Sequence, residues 1–345
     1  MGGVPEKHLV IKGVAGLGNR ISCVLAGILY AQLSARRLVV DWRDPIYSST
    51  GENMFHRLFQ SSWCSTSDQI PITDSIYPAV WRGRMHEQAI RVASDHGYNP
   101  DQIRRNLSID ISRLDYTEDL VVLVAYSSRL ESLRPHFHGA FQELAEMPGH
   151  DLLAKLLRDD LILHPKIRTR VENFKREKFA PRTVGVHIRY SDYRVRVLAI
   201  IKQLNALLAR EPNLQIFLAT DNVEIEKLFA SNYPGVITTP HWYAKPGIAI
   251  HTSSARPEVA ESTVEALIDM YLLAECDYLI FDGSSSFARI ASLLSKAAAG
   301  NQVNVANTGK GNRRVRGIVT RALRRVRFSS WAFRVLPKVV GIRRL

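Results

Sequence analysis

Cysteine is scarce in this sequence. Cys23, Cys64 and Cys276 are the only three in 345 residues, far apart and without a C-x-x-C pair, which excludes a disulfide framework and a zinc knuckle and fits a reducing compartment. Long apolar runs are missing too. A membrane-spanning helix needs about 18 or more consecutive apolar residues; the nearest approach, Val24 to Tyr30, is interrupted at Gln32 and has the length of a core helix. The opening Met1-Gly2-Gly3-Val4-Pro5-Glu6 lacks a basic stretch followed by an apolar one, and it places Glu where an acylation motif takes Ser or Thr. The chain therefore reads as cytoplasmic at its start. No internal repeat is present. His136-Phe137-His138 has no third ligand near it in sequence and reads as ordinary loop histidines, so no metal is expected.

What the chain does have is apolar material for a sizeable core. Hydrophobic residues make up 46% of it, sufficient for one large or two medium α/β domains. A net charge of +13 would point to a polyanion-binding protein if it were spread evenly. It is not: twelve cations and no acid lie from Lys310 to the end, and without them 34 Lys and Arg face 33 Asp and Glu. The globular part is close to neutral, and the basic signal belongs to a tail.

Periodicity predicts a βαβ opening: a strand at His8 to Lys12, a glycine-rich turn Gly13-x-x-Gly16-x-Gly18, a helix with apolar residues at Ile21, Val24, Leu25, Ile28 and Leu29, and a second strand at Leu38 to Val40. Residues 44–118 hold no sustained period and read as loops with short helices. A buried strand is expected at Leu120 to Ala125, then helical patterns from Gly139 to Leu157 and from Pro165 to Phe179. After Pro181 the alternation is regular, with strands at Thr183 to Ile188, Gln215 to Ala219, near Val236, Tyr278 to Phe281 and Val303 to Val305. Helices fall between them at Val197 to Leu208, Val223 to Phe229, Ser262 to Ala274 and Ser286 to Leu294. Such alternation implies doubly wound parallel sheets. The expected domains are residues 1–180, residues 181–308 and a tail over 309–345.

Three pieces of the second half carry chemistry. In Val184-Gly185-Val186-His187-Ile188-Arg189, alternation points His187 and Arg189 to one side at the strand end where open α/β sheets bind ligands. An arginine there suits bidentate capture of a diphosphate, with Asp192 in the following loop able to hold the guanidinium. The same residues would equally make a surface salt bridge and a core histidine. In Asp282-Gly283-Ser284-Ser285-Ser286-Phe287, a strand passes through glycine and serines into a helix, offering backbone N–H groups, hydroxyls and a helix dipole to an anion, or simply an N-cap. Asp269 is a lone carboxylate in the apolar run Ala266 to Ala274; buried, it needs strong donors such as the N–H edge of guanine, and otherwise it faces solvent. Asp221 stands at another strand end, where it could also cap the next helix.

In order, His-x-Arg-x-x-Asp at 187–192, Ala-Thr-Asp at 219–221, and Ala-Leu-Ile-Asp-Met-Tyr-Leu-Leu-Ala followed by Ser-Ser-Ser-Phe-Ala-Arg resemble the three motifs of the α1,2/α1,6/protein O-fucosyltransferase superfamily, and within it the rhizobial nodulation α1,6-fucosyltransferase branch. Gly-Leu-Gly-Asn-Arg at 16–20 and Val-Val-Asp-Trp-Arg at 39–43 resemble that family's N-terminal loop and second strand. The resemblance implies a GT-B fold, two Rossmann-like domains facing across a cleft, and a metal-independent, inverting hexosyl transfer from GDP-fucose. It implies an acceptor glycan or lipid-linked glycan held by residues 1–180 and GDP held by residues 181–308. His187 and Asp269 would read guanine, Arg189 would bind the β-phosphate, and Ser284, Ser285, Ser286 and Phe287 would cradle the diphosphate. Asp192 and Asp221 would orient the site, and Asn19 would face the phosphate. Relatives carry a longer segment after the His-x-Arg motif, whereas Tyr193-Arg194-Val195 runs almost directly into a helix here, which leaves Asp192 and Asp44 as candidate bases.

Two other readings compete. The glycine turn with Asp41 about 20 residues on could bind a dinucleotide, as in an NAD-dependent oxidoreductase, and a degenerate transferase fold could bind a nucleotide at a membrane without catalysis. In the tail, Val315, Ile318, Val319, Ala322, Leu323 and Val326 keep helical spacing among arginines, with Trp331 and Phe333 beyond. That pattern is a basic amphipathic stretch. It suits an anionic membrane surface at the inner face of the plasma membrane, where the alternatives are a solubilising tail or an RNA contact. No nucleic acid is expected.

Overall fold

The computed structural model describes residues 6–65, 70–191, 195–243 and 258–307. Asp192 and the whole tail from 309 lie outside the described residues. The chain divides into two compact units, one of Met1–Asn173, Pro257–Tyr271 and Arg289–Leu294, the other of Phe174–Arg256, Leu272–Ala288 and Ser295–Leu345.

The first unit holds a four-stranded sheet in the order β2-β1-β5-β4, formed by β1 (His8–Lys12), β2 (Arg37–Asp41), β4 (Ile76–Tyr77) and β5 (Leu120–Leu123). All its pairings are parallel, with Ile11 opposite Val40 on one side and Leu123 on the other. β5 reads Leu-Val-Val-Leu and is buried throughout, as a parallel strand covered on both faces must be. The crossover between β1 and β2 is the helix Leu17–Leu33. Gly27 lets that helix lie directly on the sheet, because a Cβ there would stand 2.3 Å from Ile11 Cδ1. A short antiparallel pair, β3 (Phe59–Gln60) with β6 (Ile162–Leu163), completes the unit.

The second unit holds a parallel sheet in the order β10-β9-β7-β8, from β7 (Thr183–Ile188), β8 (Gln215–Thr220), β9 (Tyr278–Phe281) and β10 (Gln302–Asn304). The helix Val197–Leu208 connects β7 to β8, and Ser286–Leu294 connects β9 to β10. Val184, Val186 and Ile188 of β7 pack with Ile200, Leu204, Leu218, Phe229 and Ile280 in one core cluster. Successive strands are laid to one side of β7 and then to the other, so the order switches between β7 and β9. Open α/β sheets bind ligands outside the strand ends at such a switch.

Two expectations shift. The strand predicted near Val236 is reduced to a single bridge between Ile237 and Phe217. The helical pattern from Gly139 to Leu157 breaks into a 3-10 turn Gly139–Phe141 and helices Gln142–Ala145 and Gly149–Asp159. Pro148 has no N–H to donate and disfavours helix at the residue before it, which forces the break. Among the described residues no helix is long and apolar enough to cross a membrane.

Candidate functional site

At the end of β7 the side chain of His187 is sealed in, 6% exposed, with its ring 5.2 Å from that of Phe287 and tilted 19° to it. Burial, and after it the neighbouring Arg189 charge, bring its pKa down to about 3. The imidazole is therefore neutral near pH 7. Its Nδ1 has no hydrogen-bond partner among the described residues. A buried polar atom without a partner costs about 1–3 kcal/mol, so such atoms identify places where a ligand can repay what the fold does not.

The segment after His187 is organised by Asp221, half-buried at the end of β8. Its carboxylate accepts hydrogen bonds from Tyr190 N at 2.6 Å, Ser191 N at 3.2 Å and Ser191 Oγ at 2.5 Å, and Arg189 Nε lies 4.0 Å from it. Capping of the next helix falls instead to Asn222, whose Oδ1 accepts from Glu224 N and Ile225 N. This resolves the two roles left open for Asp221. Val195 N donates to Arg189 O at 3.2 Å.

The end of β9 builds the second piece. Asp282, 1% exposed, accepts from Ser284 N at 3.0 Å and Ser284 Oγ at 2.6 Å, and Ser285 N donates back to Asp282 O. Gly283 donates its N–H to Asn304 Oδ1 at 2.8 Å and tolerates no side chain, since a Cβ would come within 2.4 Å of Asn304 Nδ2. The helix Ser286–Leu294 starts at once, presenting its N-terminal dipole at the turn. Ser284 is exposed, whereas Ser285 is buried with its Oγ unpartnered, as is Thr220 Oγ1 at the end of β8. Three strand ends of one sheet thus carry an unpartnered polar atom each. Asp282 and Asn304 escaped the sequence reading as supports of this turn; the signal was an acid directly before Gly-Ser, which occurs too often to select.

Of the residues predicted for the site, the second unit gathers His187, Arg189, Asp221, Ser284, Ser285, Ser286 and Phe287. Asp269 is buried, not solvent-facing, and belongs to the stretch Pro257–Tyr271 counted with the first unit, as is Asn19. Asn19 stands half-buried in the first turn of the helix Leu17–Leu33. Asp44 is not free to act as a base: it pairs with the buried Arg20 guanidinium at 2.7 Å and accepts from Ile46 N. The glycine turn is equally committed. A Cβ on Gly13 would fall 2.1 Å from Arg20 Nη1, and Asp41, which the dinucleotide reading needed, is buried between Lys12 at 2.6 Å and Arg43 at 2.8 Å. Asp41 is thus already paired and is not left for a dinucleotide ribose. His136 donates its Nε2–H to Ser112 O at 2.7 Å, and among the described residues no group of His, Cys, Asp and Glu could hold a metal ion.

The first unit also contains a cavity of about 610 Å3 lined by His56, Arg57, His164, Lys166, Arg170 and Glu261 among others. Glu261 fixes its two arginines, at 3.2 Å from Arg57 Nη2 and 2.5 Å from Arg170 Nη1.

The family model of Nodulation protein Z matches residues 150–311 of this chain. The Nodulation protein Z of Azorhizobium caulinodans is 25% identical over 323 residues, covering 84% of this chain and 90% of that protein. The crystal structure of fucosyltransferase NodZ from Bradyrhizobium superposes with a TM-score of 0.56 at 21% identity, over 84% of this chain and 94% of the other. The crystal structure of a NodZ alpha-1,6-fucosyltransferase soaked with GDP-fucose gives 0.55 at 21% identity, over 84% and 93%. The resemblance carried by the motifs is borne out: the chain is similar to this family in sequence, and the solved structures show its fold to be that of the GT-B fucosyltransferases.

Proposed function

We propose that this chain is an inverting glycosyltransferase that moves fucose from GDP-fucose to a glycan or glycolipid acceptor. The observation that carries the reading is the cluster at the sheet switch of the second unit. His187 Nδ1 and Ser285 Oγ are buried there without partners among the described residues, in a sheet that also ends in Arg189 and a helix N-terminus. A nucleoside diphosphate satisfies that set: donors and a dipole for the phosphates, a neutral imidazole stacked on Phe287 beside them. The likeness to Nodulation protein Z and to a structure soaked with GDP-fucose selects GDP-fucose among such ligands.

The chemistry follows from the charges. As GDP departs, negative charge grows on the β-phosphate while the sugar turns oxocarbenium-like. Arg189, steadied beside Asp221, and the helix N-terminus at Ser286 stabilise that charge most in the transition state. Asp269 and His187 read the guanine, and Asn19 and Asp192 complete the set on the strength of the resemblance. Asp192 is the remaining candidate for the base that takes the acceptor hydroxyl proton, since Asp44 is held by Arg20. The acceptor belongs to residues 1–180; the cavity framed by Arg57, Arg170 and Glu261 supplies planar, paired polar groups for sugar hydroxyls.

Incubation with GDP-fucose, GDP-mannose and UDP-sugars in the presence of cell-envelope glycans, followed by mass spectrometry, tests the reading. A deoxyhexose added only with GDP-fucose is expected; products from UDP-sugars alone contradict it. The basic tail docks the enzyme at the cytoplasmic face of a membrane carrying a lipid-linked acceptor, each Lys or Arg near an anionic surface being worth about 1 kcal/mol. Co-sedimentation with anionic but not neutral liposomes, lost in a chain ending at Thr308, is expected. A full chain that stays in the supernatant with anionic vesicles removes this part.

A further inference from the structure

Asp282 does more than support the serine turn. It is the last acid in the sequence and is almost completely buried, and it is shared between two segments in place of being held by one cation alone. Its two oxygens serve two different segments. Oδ1 takes the Ser284 N–H and hydroxyl at 3.0 and 2.6 Å. Oδ2 takes the Arg196 N–H at 3.1 Å and faces Arg196 Nη1 at 3.6 Å, across 86 residues of sequence. Arg196 immediately follows Val195, whose N–H donates to Arg189 O. Asp221 holds Tyr190 and Ser191. Tyr190 and Ser191 on one side and Arg196 on the other are therefore each held by a carboxylate, and the second carboxylate is shared with the serine turn.

We propose that Asp282 is a positioning residue that locks Val195 and Arg196, which are tied back to Arg189, and the Ser284–Ser286 turn into one fixed register, so that the guanidinium and the turn act on a single diphosphate. This rests on the donor-site reading above. Asp282 is not itself a proton acceptor in the reaction. Burial works against its charge, but the hydrogen bonds from Ser284 and Arg196 outweigh it and hold the carboxyl below its usual range, so it keeps no affinity to spare for a proton. Preorganisation is where such a residue acts: a misplacement of about 1 Å in a site built for a developing charge costs on the order of 100-fold in rate.

Two variants test the clamp from opposite sides. Asp282→Asn keeps an oxygen for Ser284 but presents an amide donor to the Arg196 N–H. Arg196→Pro leaves the carboxylate intact and deletes both its backbone donor and the guanidinium that faces it; Arg196 sits just before the helix with φ −80°, which proline accepts. Both variants are expected to lower kcat by about 30- to 100-fold while GDP affinity stays within about threefold, and hydrogen exchange without nucleotide is expected to quicken in residues 189–196 of each. In Asp282→Asn the exchange of residues 282–286 is expected to quicken as well. The proposal is overturned if kcat in Arg196→Pro is unchanged, or if exchange at 189–196 is unaltered in both variants. Hydrogen exchange needs no substrate, so a wild-type chain that fails to bind GDP would remove the donor-site reading and leave the clamp to be decided on its own.

Discussion

The two halves of the molecule each pass from a parallel strand through a glycine-rich turn into a helix, and they use that pattern in opposite ways. After β1, the turn Gly13–Gly18 is filled by the protein itself. Arg20 reaches back over Gly13, stacks on Tyr47 at 4.0 Å and pairs with Asp44, while Lys12 and Arg43 take up Asp41. Its buried atoms without partners, Arg20 Nη1 and Trp42 Nε1, are donors locked within that packing. After β9, the acid of the turn is shared between backbone N–H groups, the Ser284 hydroxyl and the Arg196 guanidinium, and hydroxyls and an imidazole nitrogen at neighbouring strand ends have no partner among the described residues. A glycine-rich turn therefore does not make a phosphate site. What decides is whether the fold has already used the polar groups around it.

That contrast breaks most sharply in stability. Arg20→Leu strands the buried Asp44 carboxylate, and losing one partner of a buried pair costs about 3–5 kcal/mol; chemical denaturation should show it, whereas Ser285→Ala should leave the midpoint almost where it was. If Arg20→Leu is neutral, the first turn is not held by its ion pair. Next in size is Arg189→Ala, expected to lower kcat by about 100- to 1,000-fold, the cost of removing one donor to a developing charge, with the thermal midpoint preserved. Arg189→Lys should recover little, because a point charge lacks the planar fork. Turnover near that of the wild type in the alanine variant would take the phosphate role away from this residue.

The smallest effect is a pH slope. The folded chain holds His187 at about 3, against 6.5 for the free side chain, so between those values the unfolded chain binds a proton that the folded chain refuses. The stability due to neutral His187 is thus complete above about pH 6.5 and falls with acidification by up to about 1.4 kcal/mol per pH unit. Urea titrations from pH 7 to pH 4 on the wild type and on His187→Phe should differ by that slope. Parallel curves would mean that the imidazole is not sealed.

Much of this was legible in the sequence, for local reasons. The helix Val197–Leu208 and the strands Thr183–Ile188 and Tyr278–Phe281 have the bounds that their apolar periods predict, because β-branched runs and helical spacing are written residue by residue. The turn of serines into a helix was legible for the same reason. The supports of the site were not. Arg196 meets Asp282 across 86 residues and Lys12 meets Asp41 across 29, and neither pairing leaves a periodic trace. Asp221 and Asn222 stood side by side as possible caps, and only the geometry divides them, giving the cap to Asn222 and the loop to Asp221. β4, two residues long, is too short for alternation to register.

The donor site itself is tested most directly by amide hydrogen exchange of the full chain with and without saturating GDP. The account predicts protection at residues 187–191 and 282–287, where the sheet of the second unit leaves its polar atoms unpartnered. Protection confined to residues 13–20, with those two segments unchanged, would place the nucleotide on the filled turn and contradict it.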